Sequence, residues 1–204
     1  MSRRAPSRKL AGAVANTGIE SNVLTDGAIF QNAWVVPDLM SAMAKWTSLF
    51  GVGPFYVLDH LDLSSAVYRG RRSGLVLSVG LAQAGPVQVE LIQQHNEGPS
   101  LYREVAPDGR SAFHHICVYS RDFDRDRASF AAAGCETVLE GGSPDGGIRF
   151  AYFDTRKDFD VFTEVITPHP FILARNELVR RASVDWDGRD PVRILDSDGT
   201  YRVP

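Results

Sequence analysis

Side chains that can bind a divalent cation recur at matching places in two segments of this sequence. Gln31 and His115 each lie seven positions before an aspartate, and Glu90 and Glu164 each begin a Glu-(Leu/Val)-Ile sequence. The first pair is separated by 84 positions and the second by 74, which indicates a duplicated module with a longer internal loop in the first copy. A duplicated half-site contributes two ligands from each copy to one shared cup. The pattern therefore predicts a four-ligand metal site.

The first copy has the order strand, helix, strands. Alternating apolar residues predict a strand over residues 28–36, with Gln31 on one face. Asp38 can cap the helix that follows, because apolar residues then recur at helical spacing until Gly51. Further strands are predicted over residues 55–58, 66–69, 75–81 and 87–92.

The second copy repeats this order. A strand over residues 115–119 precedes a helix over residues 122–133, and Gly134 ends that helix. Further strands are predicted over residues 138–140, 148–153 and 162–166. Two βαβββ modules satisfy both copies when they pair into one curved mixed sheet with the helices outside. We therefore predict an α+β fold with a central metal-binding cup.

These features resemble the vicinal oxygen chelate superfamily, which includes glyoxalase I, methylmalonyl-CoA epimerase, extradiol dioxygenases and bleomycin or fosfomycin resistance proteins. The resemblance covers residues 27–170. It rests on the strands that lead into Pro37-Asp38 or Asp122 and a helix, on the His-His-Ile-Cys segment at residues 114–117, and on the two Glu-(Leu/Val)-Ile strands.

In that superfamily, the first and last strands of each module each provide one metal ligand. The resemblance therefore implies four ligands, namely Gln31, Glu90, His115 and Glu164. His114 faces the other side of its strand and is not expected to be a ligand. A Gln, Glu, His, Glu set looks like that of zinc-type glyoxalase I, and it suits Zn, Ni, Co, Mn or Mg with positions left open for water or substrate.

Such a site supports proton abstraction next to a carbonyl, because the cation stabilises the enolate that develops. The resemblance implies Glu164 as the base, with Glu90 as a ligand and an opposing acid. We expect a metal-dependent lyase or isomerase, epimerases included, that acts on a small oxygenated substrate.

Two other classes stay open. The first is a resistance-type protein that binds a small molecule in the cup without turnover. The second is an Fe(II) dioxygenase, which is disfavoured because that chemistry uses two histidines and one carboxylate and the matched positions offer one histidine. A salt bridge to Arg69 or Arg149 is the alternative explanation for Glu90 and Glu164, since a buried carboxylate needs a partner.

Several further residues have weaker signals. Asp59 and Asp62 could add an acid to the cup, and His95 and His169, each five positions after a predicted glutamate ligand, are expected at the cup rim or in a dimer contact. An aromatic set is expected to pack in the core, with substrate recognition as the alternative; it comprises Trp34, Trp46, Phe50, Phe55 and Tyr56. Four arginines are available for the carboxylates of glutathione, namely Arg69, Arg71, Arg72 and Arg110.

The 204 residues suggest one compact domain with extensions. We expect a flexible N-terminal arm over residues 1–26, a domain over residues 27–170, and a C-terminal helix and tail over residues 171–204. Within the domain, module one covers residues 27–96 and module two covers residues 111–170. The C-terminal extension could cover the cup or clasp a second subunit in a homodimer.

Composition limits the partners and the compartment. A formal net charge of −3 disfavours nucleic-acid binding, because phosphate contacts need a basic surface. Cys117 and Cys135 are too few for a disulfide framework, which favours a reducing compartment. Neither a signal peptide nor a membrane span is recognisable, so we expect a cytoplasmic protein without a membrane partner.

Overall fold

The computed structural model describes residues 28–196 and 199–204. The predicted N-terminal arm, residues 1–26, lies outside the described residues.

Strands dominate the described part of the chain. They are β1 Ile29–Val35, β2 Phe55–Asp62, β3 Val67–Tyr68, β4 Arg71–Arg72, β5 Val76–Ala84, β6 Val87–Gln94, β7 Ala112–Tyr119, β8 Thr137–Gly142, β9 Arg149–Phe153, β10 Phe162–Ile166, β11 Val192–Leu195 and β12 Tyr201–Arg202. The helices are α1 Leu39–Phe50, α2 Leu101–Val105, α3 Phe123–Ala132, α4 Arg156–Phe159 and α5 Pro170–Ser183. None of these helices is long and apolar enough to cross a membrane.

The two predicted module helices form as expected. The side chain of Asp38 accepts a hydrogen bond from the Ser41 backbone nitrogen at 2.7 Å, and Asp122 does the same for Arg125 at 3.1 Å. Each aspartate therefore caps its helix. Gly51 follows α1 with a φ of 67°, a left-handed conformation that glycine adopts without strain and that ends the helix.

All of the strands belong to one sheet in the order β12-β11-β2-β5-β6-β1-β7-β10-β9-β8-β3-β4. Each module pairs its first and last strands in parallel, β1 with β6 and β7 with β10. The antiparallel pair of β1 and β7 joins the modules at the centre. The sequence prediction of two modules in one mixed α+β sheet is confirmed.

The connection between β2 and β3 shows why the sheet curves. These strands lie on opposite sides of the sheet, yet only residues 63–66 separate them along the chain. Five Cα-to-Cα steps join Asp62 to Val67 and span at most about 18 Å, so the two sides must approach each other. The resulting cup has one apolar cluster inside it, and two further clusters lie under α1 and α3.

The C-terminal extension differs in part from its prediction. The expected helix forms as α5, which buries Val179 in the inner cluster. The predicted tail instead contains two strands, with β11 parallel to β2 and β12 antiparallel to β11. Val192 and Ile194 pack against the cluster under α1, which gives this acidic segment the apolar contact it needs to form a strand.

Candidate metal site and active-site cavity

The register of the central strands brings predicted ligands together. Ala33 on β1 is the partner of Glu90 on β6 and of His115 on β7. Residues paired across strands share a face of the sheet. Ala33 has only a methyl group and is fully buried, so the longer side chains on either side of it can converge above it.

A second row lies beside the first on the same strands. Gln31 pairs with Gln88 on one side and with Cys117 on the other, and Cys117 pairs with Glu164. The Gln31 Nε2 donates a hydrogen bond to the Gln88 Oε1 at 2.7 Å. This bond uses the amide nitrogen of Gln31, so its Oε1 is the atom that a cation would contact.

Glu90, His115 and Glu164 form one compact group. The Nε2 of His115 lies 3.2 Å from the Glu90 Oε2 and 3.1 Å from the Glu164 Oε2. The ligand atoms of the three residues lie within 4.8 Å of one another. His115 is fully buried, and the side chains of Glu90 and Glu164 are 13% and 10% exposed.

Two atoms of this group lack a partner. The Nε2 of His115 and the Oε2 of Glu90 are buried and have no hydrogen-bond partner among the described residues, because the short contacts between them do not have hydrogen-bond geometry. Leaving buried polar atoms unsatisfied is costly. A divalent cation would satisfy both, so this set of carboxylate and imidazole donors fits such an ion.

Neither arginine of the alternative explanation reaches the buried carboxylates. Arg69 pairs with Glu104 and Glu136, and Arg149 pairs with Asp124. Both guanidinium groups are therefore engaged elsewhere, and the salt-bridge alternative from the sequence is wrong for these two residues.

The environment of His115 sets its charge. Burial disfavours the imidazolium form, but the adjacent Glu164 and Glu90 outweigh burial and raise the pKa of His115 to about 9. His114 lies behind it, with the two Nδ1 atoms 2.8 Å apart. Burial, and then the charge of His115, hold the pKa of His114 well below its usual value. A neutral His114 can accept the Nδ1 proton of His115, which directs the Nε2 of His115 to the carboxylates.

A cavity of about 530 Å³ opens beside this group. Gln31, Glu90 and Glu164 line it, whereas His115 lies behind the carboxylates. Most of the remaining wall is aliphatic or aromatic. Burial raises the pKa of both Tyr102 and Tyr152, so these wall phenols stay protonated and can donate hydrogen bonds.

The predicted aromatic set does not line this cavity, and its packing role is confirmed except for Phe50, which is 66% exposed. Trp34 packs against Trp46 and Phe113 with ring centroids 5.0 Å apart, while Phe55 and Tyr56 are buried in the core. Different rings line the cavity, namely Phe30, Tyr102, Phe150, Tyr152 and Phe171.

A second group of possible ligands lies at the cavity rim. Asp59, His60 and His95 also bring ligand atoms within 4.8 Å of one another, but all three are exposed. Asp59 lines the cavity, as the sequence suggested. His95 contacts Ser78, with its Nε2 2.7 Å from the Ser78 Oγ, so its place in the fold agrees with the predicted rim position.

The sequence did not identify two residues near the site. Cys117 lines the cavity, and Gln88 accepts the hydrogen bond from Gln31. Each lies two positions from a predicted ligand, so strand alternation could have found both. Arg175 lines the cavity from α5, whereas the arginines considered for glutathione do not. In the sequence, Arg175 could have been recognised as a charged residue on the apolar stripe of that helix, between Ile172 and Val179.

The fold and the site define a class of proteins in which a duplicated βαβββ sheet holds carboxylate and histidine side chains in a central cup. A match to a family model then identifies the family. A model of the glyoxalase/bleomycin resistance protein/dioxygenase superfamily matches residues 30–152, well over half of the chain. The chain belongs to this superfamily, which confirms the resemblance in the sequence. None of the curated proteins compared matches it.

Solved structures share this fold. Methylmalonyl-CoA epimerase from Mycobacterium tuberculosis matches with a TM-score of 0.54 and 14% identity, over 78% of this chain and 99% of that one. A Streptomyces coelicolor methylmalonyl-CoA epimerase variant in complex with 2-nitronate-propionyl-CoA has a TM-score of 0.50 and 16% identity, over 69% of this chain and 93% of the other. A hypothetical protein from Bacillus halodurans has a TM-score of 0.50 and 14% identity, with the same coverages. At these identities the matches show a common fold.

Proposed function

We propose that this protein is a divalent-metal-dependent lyase or isomerase, epimerases included, that removes a proton next to the carbonyl of a small oxygenated substrate. The convergence of Glu90, His115 and Glu164 beside a cavity carries the proposal. The unsatisfied atoms of Glu90 and His115 are costly to bury without a cation, and the cavity gives a substrate access to the carboxylates.

Four residues would hold the ion, namely Gln31, Glu90, His115 and Glu164. When bound, a divalent cation draws charge from the carbonyl oxygen of the substrate and so makes the neighbouring C–H more acidic. His115 would offer its Nε2, and His114 would fix the orientation of the ring through the contact between their Nδ1 atoms.

Glu164 is the proposed base. Its carboxylate lines the cavity, and His115 and Cys117 are its neighbours on β7. Burial, and then the charge of Glu164, hold the pKa of the Cys117 thiol well above its usual value. The thiol therefore stays protonated, and the carboxylate is the group in this row that can accept a proton from carbon.

Glu90 is the proposed acid that returns the proton. The ligand atoms of Glu90 and Glu164 lie within 4.8 Å of each other, and both side chains line the cavity. Two carboxylates that face one substrate carbon from the cavity wall can act on it as base and acid, as the exchange of a hydrogen in an isomerase or epimerase requires.

The test is wash-in of solvent deuterium. Zn, Ni, Co or Mn would be added to the protein in deuterium oxide with enolisable carbonyl compounds, and the loss of the C–H signal followed by proton NMR. The panel would contain a thiohemiacetal, simple acyl thioesters and methylmalonyl-CoA, the compound in the name of the epimerases that share the fold. We expect metal-dependent exchange with at least one of these compounds.

Glu164→Gln is the matched variant, because it keeps the size of the side chain and one oxygen ligand but removes the base. Exchange should fall by about 10²–10⁴-fold while the metal is retained. Exchange that is equally fast in Glu164→Gln would contradict the role of Glu164. Tight binding of a compound without exchange in any metal form would favour the non-catalytic binding protein instead.

A further inference from the structure

Arg175 is a charged residue on the apolar stripe of α5. Ile172 and Val179, which lie three positions before it and four after it, are buried, and Arg175 itself is partly buried. Its side chain lines the same cavity as Glu90 and Glu164. A guanidinium group in such surroundings needs a partner that offsets its desolvation.

The structure gives Arg175 no anionic partner. Its Nε and Nη2 donate to the Asn176 Oδ1 at 3.2 and 3.1 Å, its Nη1 makes no hydrogen bond to a described residue, and it forms no ion pair with a described carboxylate. Asn176 is held in turn, since its Nδ2 donates to the Tyr119 Oη at 2.7 Å. The guanidinium group is therefore fixed in position by a neutral amide, without an ion pair, and its charge is offset only at longer range by Glu90 and Glu164.

Two other partly buried arginines are paired with carboxylates: Arg149 has Asp124 at 2.7 Å, and Arg156 has Glu104 at 3.1 Å and Asp154 at 2.5 Å. A further one, Arg193, donates to the Tyr56 Oη at 2.9 Å and lies over the rings of Tyr56 and Tyr201. Arg175 differs from the paired arginines in its surroundings, because it lines the cavity and they do not. An unpaired guanidinium group at a cavity is the arrangement expected of a ligand-binding arginine.

The charges around the cavity indicate the charge of that ligand. A divalent cation would balance Glu90 and Glu164, and Arg175 would then leave one positive charge. Two aspartates at the cavity wall, Asp59 and Asp196, are each 46% exposed and therefore solvated by water, and Asp196 also pairs with Arg202 at 3.7 Å. A ligand with a single negative charge completes the balance.

We propose that Arg175 binds a carboxylate group of the substrate, so that the substrate is a carbonyl compound with a carboxylate. This inference rests on the proposed function for the balance of charge, but the position of Arg175 does not depend on the metal. The planar guanidinium group matches a carboxylate through two parallel hydrogen bonds, and a dianionic phosphate would exceed the charge balance.

The test compares two probes of nearly the same shape. Acetoacetate carries a carboxylate and acetoacetamide is its neutral counterpart, and the dissociation constants of both would be measured by ligand-observed NMR, with metal-free and with Zn-loaded protein. The wild type should prefer acetoacetate, and Arg175→Met should lower that preference about tenfold or more, the ratio expected of a charge-assisted hydrogen bond. Arg175→Lys should keep part of the preference, because it keeps the charge.

Controls separate this proposal from its alternatives. Arg180→Met is the matched control, because Arg180 lies on the same helix but pairs with Glu177 at 2.7 Å, and it should leave the preference unchanged. An equal preference in the wild type and a folded Arg175→Met protein would overturn the proposal, as would tighter binding of inorganic phosphate than of acetoacetate. Failure of the protein to bind Zn would count against the proposed function alone, because the metal-free titrations still test Arg175.

Discussion

Two groups of acidic and histidine side chains differ mainly in their surroundings. Glu90, His115 and Glu164 lie between the central strands, and the rim group of Asp59, His60 and His95 lies at the cavity mouth. Within each group the ligand atoms lie within 4.8 Å of one another. By residue type and spacing alone, both could be metal sites.

Hydrogen bonding separates the two groups. In the rim group, the Ser78 Oγ donates to the Asp59 Oδ1 at 2.6 Å and contacts the His95 Nε2 at 2.7 Å, and the His60 and His95 rings stack with centroids 4.2 Å apart. The buried group has unsatisfied atoms instead. Exposure lets water solvate the rim group, whereas burial makes a cation the natural partner of the central group. We therefore expect burial and unmet hydrogen bonding, rather than residue types, to mark the group that binds an ion.

The largest effect should be a pH dependence confined to the buried group. Because the pKa of metal-free His115 is raised to about 9, a bound ion must displace its proton. The affinity for Zn, measured by competition with a chromophoric chelator, should therefore rise about tenfold per pH unit from pH 6.5 towards pH 9. His95→Ala should keep this slope, and a slope near zero in the wild type would contradict the raised pKa.

The same pKa shift gives the sign of the stability change. The pKa of His115 in the folded protein lies above its usual 6.5, so protonated His115 stabilises the metal-free protein fully below about pH 6.5. This contribution is lost as the pH rises through about 9. Urea unfolding of metal-free protein should show the decline, and His115→Gln should remove it.

A smaller effect is expected from Ala33→Val, which tests the register of the buried group. The added methyl groups would crowd the space where Glu90 and His115 converge, and Zn affinity should fall about tenfold. Ala82→Val is the matched control, because Ala82 is equally buried but packs under α1. Both variants should lose about 1–3 kcal/mol of stability in urea unfolding. Equal Zn affinities in the two variants would show that the pairing of Ala33 with Glu90 and His115 does not position the ion-binding group.

The smallest effect should come from Ser78→Ala in the rim group. The hydroxyl joins Asp59 to His95, and its loss should cost about 1 kcal/mol of unfolding free energy, as for a typical hydrogen bond. Zn stoichiometry and affinity should not change. Weakened Zn binding in this variant would show that the rim group takes part in the metal site.

The sequence predicted the module architecture well, because local signals determine it. Asp38 and Asp122 as helix caps, Gly51 as a stop and period-two strands can each be recognised within a few residues. The sequence did not predict α2, or β11 and β12 in the acidic C-terminal segment. Those strands depend on packing against distant residues, which no local pattern reports.

The candidate site was predictable only in part. The repeat pointed to Gln31, Glu90, His115 and Glu164, and the structure places all four on one face of the central strands, although the ligand roles stay predictions. The sequence did not identify Arg175 as a cavity residue, because its position depends on how α5 folds over the cup. A charge on an apolar helical stripe identifies an unusual residue, but only the packing of the helix shows what that charge faces.

Metal content measured by plasma mass spectrometry tests the central claim most directly. Protein purified without a metal-binding tag would be compared as wild type, His115→Ala and His95→Ala after incubation with Zn and removal of the excess. We expect about one ion per chain in the wild type and His95→Ala, and little in His115→Ala. No ion in the wild type, or an ion lost in His95→Ala and retained in His115→Ala, would contradict the assignment of the metal site to the buried group.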